Sequence, residues 1–347
     1  MKPRSIRPRP TKVRLRPVHE QVVVVLGASS GIGRATALRF AQCGAAVVVS
    51  ARSSAGLESL VAEIRSSGGR GEAVVCDVAD VEQVQAVADA ALLTYGRIDT
   101  WVNCAGVALF APFEHTTAEE FKRVVEVNLL GQVHGAMAAL PHLRRDGGSL
   151  ICVSSMGAKR GIPLQTAYCA SKHGIDGFVE SLRAELRHDR SPVSLTNIMP
   201  ATINTPLFDN ARTKLGVKPT APPPVYQPNL VVDAILHAAE HPVRDLIVGG
   251  AARAVILTES LVPRLLDTVL STAGYRLHYT KELKPQGAPD NLDEPLPGNE
   301  TVEGTIGDHA LSRSLYTRWK LGAPLRRAAS VARGAVAGAA ATARLRG

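Results

Sequence analysis

The sequence predicts an α/β protein: a doubly wound parallel sheet of about seven strands in a single domain, with an extension at each end. Three observations carry that reading. Between 21 and 250, short β-branched runs alternate with helical stretches, the pattern of strand–helix–strand units. The runs are continuously apolar, which suits parallel strands covered by helices on both faces. The first run leads directly into a glycine-rich turn that opens the first helix. The composition, 45% hydrophobic and 20% charged over 347 residues, excludes a disordered or collagen-like chain.

Strands are expected at 21–26, 45–50, 72–76, 98–102, 149–154, 193–198 and 245–248. Helices are read at 32–43, 55–67, 81–95, 117–140 and 166–187. Five prolines between 214 and 228 exclude a helix interior or a central strand there. Residues 206–228 are therefore read as a loop. A helix at 229–240 and the last strand complete a main domain taken as 20–250. The remainder, 251–347, is read as a helical and irregular extension. It holds a helical stretch at 253–271 broken at Pro263, then an irregular segment at 283–308. Its Ala- and Arg-rich end has Pro324 opening a helix with Leu325, Ala328, Ala329, Ala332 and Val336 on one face.

The net charge of +9 belongs to the ends. Segments 1–19 and 313–347 hold 15 basic residues and no acid, which leaves 25 basic residues against 31 acids between them. Residues 1–19 are read as a basic, disordered tail without the apolar run of a secretion signal. Five cysteines, odd in number and without metal-ligand spacing, are read as free thiols of a cytoplasmic protein. The basic ends suggest a weak peripheral contact with anionic membrane as a secondary expectation. The histidines lack paired ligand spacing, so no metal is expected. Neither tryptophan has the aromatic company of a stacking platform, so no nucleic acid is expected.

The turn reads Gly27-Ala28-Ser29-Ser30-Gly31-Ile32-Gly33. Glycines there allow a tight turn and close backbone approach, and the helix start offers N–H groups to a pyrophosphate. The second strand bears on the ribose. NAD-binding folds place an acid about 20 residues past the glycines, but no acid occurs between Arg34 and Leu57. Arg52 stands there instead, and a guanidinium pairs with a 2′-phosphate that a carboxylate would repel. NADP(H) is therefore expected in preference to NAD(H), with Arg34 a weaker second cation.

Tyr168 and Lys172 lie four apart on one helix face. A nearby ammonium favours a phenolate, which would bring the tyrosine toward acid/base work. Ser155, 13 residues upstream, sits at the strand edge where doubly wound sheets hold ligands, and its hydroxyl can bond a substrate oxygen.

Together with Cys76-Asp77-Val78, Asn103-Cys104-Ala105-Gly106, Val127-Asn128-Leu129, Ser154-Ser155, Tyr168-Cys169-Ala170-Ser171-Lys172 and 200–206, these segments resemble the short-chain dehydrogenase/reductases over about 21–250. The resemblance implies a Rossmann-like fold and a catalytic tetrad of Asn128, Ser155, Tyr168 and Lys172. Tyr168 would be the acid/base, Lys172 would bind the nicotinamide ribose, and Asn128 would hold a relay water. Gly27, Ser29, Ser30, Gly31, Ile32 and Gly33 would hold the pyrophosphate, with Arg52 at the ribose. Asp77 and Val78 would flank the adenine, while Asn103, Ala105 and Gly106 would line the ribose. Pro200, Ile203 and Thr205 would meet the nicotinamide. Leu26, Cys104 and Ala201 depart from the residues usual in the family. The activity implied is hydride transfer between NADP(H) and a carbonyl or secondary alcohol, in a homo-oligomer. Substrate identity would lie in the loop 206–228 and in 107–115, and Leu207, Phe208, Leu215 and Val225 point to an apolar substrate. The competing expectation is a non-catalytic dinucleotide-binding regulatory or scaffold protein.

Overall fold

The computed structural model describes residues 13–322. Seven parallel strands form one sheet: β1 Val22–Leu26, β2 Ala46–Ala51, β3 Arg70–Val75, β4 Thr100–Asn103, β5 Gly148–Val153, β6 Val193–Pro200 and β7 Asp245–Val248. Their spatial order is β7-β6-β5-β4-β1-β2-β3, with the reversal between β1 and β4. In such sheets the ligand crevice lies outside the strand carboxyl ends at that reversal.

The period of two sorts each strand's side chains between two cores. Val23 and Val25 join one cluster, Val24 and Leu26 the other. The first core receives Phe40 from α1 (Gly31–Gln42), Leu57 and Leu60 from α2 (Ser54–Ser66), and Ile235 from the helix Asn229–Glu240. The second receives Val87 from α3 (Val81–Tyr95), Ala139 from α5 (Gly131–Asp146), and Ile175 and Val179 from α6 (Thr166–His188). Truncating Phe40, which is fully buried, would cost about 3–5 kcal/mol.

Local chemistry sets the helix ends. Asp80 accepts from the Glu82 and Gln83 amides to start α3, and Gly96 at φ 78° ends it. Thr117 and Glu120 form a reciprocal capping box on α4 (Ala118–Val125). The single helix expected over 117–140 is interrupted: a π turn, Glu126–Leu130, joins α4 to α5. Such turns recur at functional sites, and this one carries Asn128.

The amino-terminal tail differs from its expected disorder in the part described. Val18 is buried, its N–H bonds the Glu240 carboxylate at 2.9 Å, and Arg16 pairs with Asp99 at 3.1 Å. Numbering the Asn229–Glu240 helix α7, the extension begins with α8 (Gly250–Leu261) and α9 (Pro263–Val269), divided at Pro263 as expected. The 206–228 segment is tied down: Val217–Pro219 pairs antiparallel with Tyr279–Leu283 of the extension. Beyond it, 284–314 runs back across the sheet's carboxyl edge, and α10 (Leu315–Lys320) follows. The helix expected from Pro324 lies outside the described residues. No described helix is long and apolar enough to cross a membrane.

Candidate active site

The expected site residues converge. All except Asn103 and Asn128 line one cavity of about 370 Å³ at the carboxyl edge of the sheet. The glycine turn has no room for side chains. A Cβ on Gly27 would stand 2.5 Å from the Ala105 backbone, and one on Gly33 would stand 2.0 Å from the Gly27 carbonyl. Gly27 also holds φ 79°, a region costly for other residues. The turn thus packs onto the 103–106 segment and leaves its outer face to the cavity, as a pyrophosphate cradle requires. The Gly31 amide is already satisfied, because it donates to the Thr301 carbonyl at 2.8 Å.

Asn103 sits beneath this floor. It accepts from the Trp101 indole at 2.8 Å and donates to the Gln132 carbonyl at 3.1 Å, pinning β4 to α5. Asn128 is fully buried, and its amide is committed to both backbone groups of Val107 (2.8 and 3.0 Å) and to the Ser171 hydroxyl at 3.2 Å. It therefore fixes the chain after Gly106 beside the cavity.

Ser155 lies two residues past the end of β5. Its hydroxyl accepts from the Gly157 amide at 3.0 Å and hydrogen-bonds Tyr168. Lys172 is buried one helical turn beyond Tyr168, with its Nζ donating to the Val153 carbonyl at 3.2 Å. The expected downward tuning of the phenol is not what this environment produces. Burial pushes Tyr168 up to about 12, outweighing the Ser155 bond, and brings Lys172 down to about 8. The neutral phenol is the form that donates a proton.

At the end of β2, Arg52 donates to the carbonyls of Asn291 (2.5 Å), Asp293 (2.6 Å) and Leu292 (3.4 Å). Asp77 pairs with Arg123 at 2.6 Å. Burial opposes its charge, but bonds from the Ala79 amide and Arg123 prevail and hold its carboxyl below the usual range. Arg34 is not a second phosphate cation, because it turns inward to Glu63 at 2.8 Å.

Of the residues expected to meet substrate, Val107, Leu207 and Phe208 line the cavity, while Leu215 packs behind with Phe208. The sequence reading missed the extension's share of the cavity lining: Val255, Leu266, Leu270, His278, Asn291, Asn299 and Glu300. It also missed Arg123. The helical spacing of 253–271 was visible, but nothing local showed which face it would bury. Among the described residues, no group of three His, Cys, Asp or Glu side chains converges as metal ligands would.

Fold and site together define a dinucleotide-binding oxidoreductase architecture with a Ser–Tyr–Lys cluster at the cleft. A short chain dehydrogenase family model matches residues 21–216. The uncharacterized oxidoreductase YxnA of Bacillus subtilis is 38% identical over 311 residues, 89% of this chain and 87% of that protein. The chain belongs to the short-chain dehydrogenase/reductase family. An alcohol dehydrogenase from Thermococcus sibiricus, solved with 5-hydroxy-NADP, is 27% identical with a TM-score of 0.58, covering 66% of this chain and 95% of its own. A Burkholderia phymatum short chain dehydrogenase/reductase, solved with NAD, shares the fold at 24% identity and a TM-score of 0.65, covering 73% and 97%.

Proposed function

We propose that this protein is an NADP(H)-dependent oxidoreductase acting on a carbonyl or secondary alcohol, with Tyr168 as general acid/base. The observation that carries the reading is the convergence of Tyr168, Ser155 and Lys172 on the same cavity as the glycine turn. When bound, the nicotinamide gives or takes the hydride. The chain's own residues do the rest. In reduction, the Ser155 hydroxyl orients the substrate oxygen and the neutral Tyr168 phenol donates its proton to it. Lys172, fixed below the ring, offsets the negative charge left on the phenol. Asn128 and Asn103 keep the cavity wall in place through the bonds described above.

The preference for NADP(H) rests on charge. Arg52 is the cation at the end of β2, and its bonds to the carbonyls of Asn291, Leu292 and Asp293 leave Nε–H and one Nη2–H for a phosphate. The apolar lining from Ile162, Leu207, Phe208, Val255, Leu266 and Leu270 supports an apolar substrate.

The test is a panel of apolar ketones, aldehydes and quinones with NADPH, and of alcohols with NADP⁺, followed by absorbance of the reduced nicotinamide. Turnover with an apolar member is expected. Cofactor binding with no turnover across the panel would favour a non-catalytic dinucleotide-binding role.

A further inference from the structure

The segment between the Tyr279–Leu283 strand and α10 crosses the cofactor cleft from one end to the other. At the adenosine end its carbonyls at Asn291, Leu292 and Asp293 take the Arg52 guanidinium, and Arg123 Nε reaches Leu292 O at 3.2 Å. In the middle, Thr301 O takes the Gly31 amide of the glycine turn. Farther on, Gly304 lies so close to Thr205 that a Cβ would stand 2.3 Å from its carbonyl, and the Thr305 amide donates to Asp209 at 3.1 Å. Asn291, Pro295, Leu296, Asn299 and Glu300 face the same cavity as the glycine turn.

We propose that residues 290–304 are an added wall of the cofactor site, a strap that encloses the dinucleotide along the adenosine and pyrophosphate and must lift for the cofactor to exchange. This rests on the proposed function, since it concerns the same cleft. The relatives fit an added element. The solved structures are matched over 95% and 97% of their own length yet cover only 66% and 73% of this chain. The match to YxnA spans 311 residues, too long to fit within the catalytic domain alone.

The strap is built to lift as a unit. Leu292, completely buried in the second core, is the only fully buried residue between His278 and Ser314. Besides the close approach of Gly304 to Thr205, the other attachments are hydrogen bonds to backbone or polar groups and the ion pairs of Arg212 with Asp290 (2.9 Å) and Asp293 (2.7 Å), polar contacts that water can replace. A segment with one buried anchor opens locally at far lower cost than the domain unfolds. Gly287 and Gly298, at φ 84° and 87° with nothing within 4 Å of their Cβ positions, are free pivots at and within it. A cofactor under such a strap leaves at the rate at which the strap opens.

The experiment measures dissociation of whichever of NADPH or NADH the full chain binds more tightly. Fluorescence of the bound reduced cofactor is followed after a chase with excess oxidised cofactor. Leu292→Ala removes the anchor and is expected to speed release at least tenfold. Single-turnover hydride transfer at saturating cofactor should stay within about twofold. Gly304→Ala, whose added methyl meets the Thr205 carbonyl, should also speed release, and it serves if Leu292→Ala does not fold. A release rate indifferent to the folded variants overturns the strap while leaving the proposed function intact. Failure of the wild-type chain to bind either cofactor overturns the proposed function and the strap with it.

Discussion

Lys172 Nζ lies 5.5 Å from the centre of the Tyr168 ring, held from below by the Val153 carbonyl at 3.2 Å. The cation therefore keeps a fixed position relative to the phenol. Because burial brings Lys172 down to about 8, its charge is lost as pH rises through that value. In the proposed function reduction leaves negative charge on Tyr168, so it is favoured while Lys172 is an ammonium. Carbonyl reduction is predicted to fall above about pH 8. Stability should move the opposite way. An unfolded lysine keeps its proton to about 10.4, so between 8 and that value the unfolded chain binds more protons and the wild type gains stability. Lys172→Met should remove that gain. A pH–rate profile beside urea midpoints of both proteins checks this, and a rate that is flat from pH 7 to 9.5 would refute it.

Gly33→Ala should disrupt the glycine turn, because the new methyl would stand 2.0 Å from the Gly27 carbonyl. Relief requires backbone movement, with an expected loss of about 1–3 kcal/mol of stability and much weaker cofactor binding. Thermal melts and cofactor titration report the two effects separately. Wild-type cofactor affinity in the variant would contradict the cradle.

Arg52→Asp should reverse the ranking of NADPH and NADH, since it replaces attraction for a 2′-phosphate with repulsion. The same change removes the donor that binds the strap carbonyls, so both affinities should weaken and the ratio is the informative quantity. The ratio of kcat/KM values for the two cofactors measures it. A wild-type preference for NADH would contradict the charge argument at once.

Much of this was legible in the sequence because it is local. The strands are continuous apolar runs, and Val23 and Val24 sort to opposite cores by period alone. The glycine turn and the Tyr168–Lys172 spacing are short-range signals whose geometry follows from one strand and one helix. The strap was not legible. Residues 283–308 have no periodicity, and their partners Arg52 and Gly31 lie more than 200 positions away. Arg123 reads as an ordinary helix-surface cation until Asp77 and Leu292 are brought to it. The rise of Tyr168 to about 12 was hidden for a different reason: the spacing shows which cation is near, but burial, which outweighs it, is a property of the assembled cleft.

In the proposed function Tyr168 passes the proton to substrate. The most direct test of that step is turnover of Tyr168→Phe with the best substrate of the panel, with cofactor binding measured in parallel. The substitution keeps the ring and removes the ionisable oxygen. kcat is expected to fall by about two orders of magnitude or more while the cofactor dissociation constant stays near wild type. A variant that turns over close to the wild-type rate with unchanged cofactor affinity would contradict it.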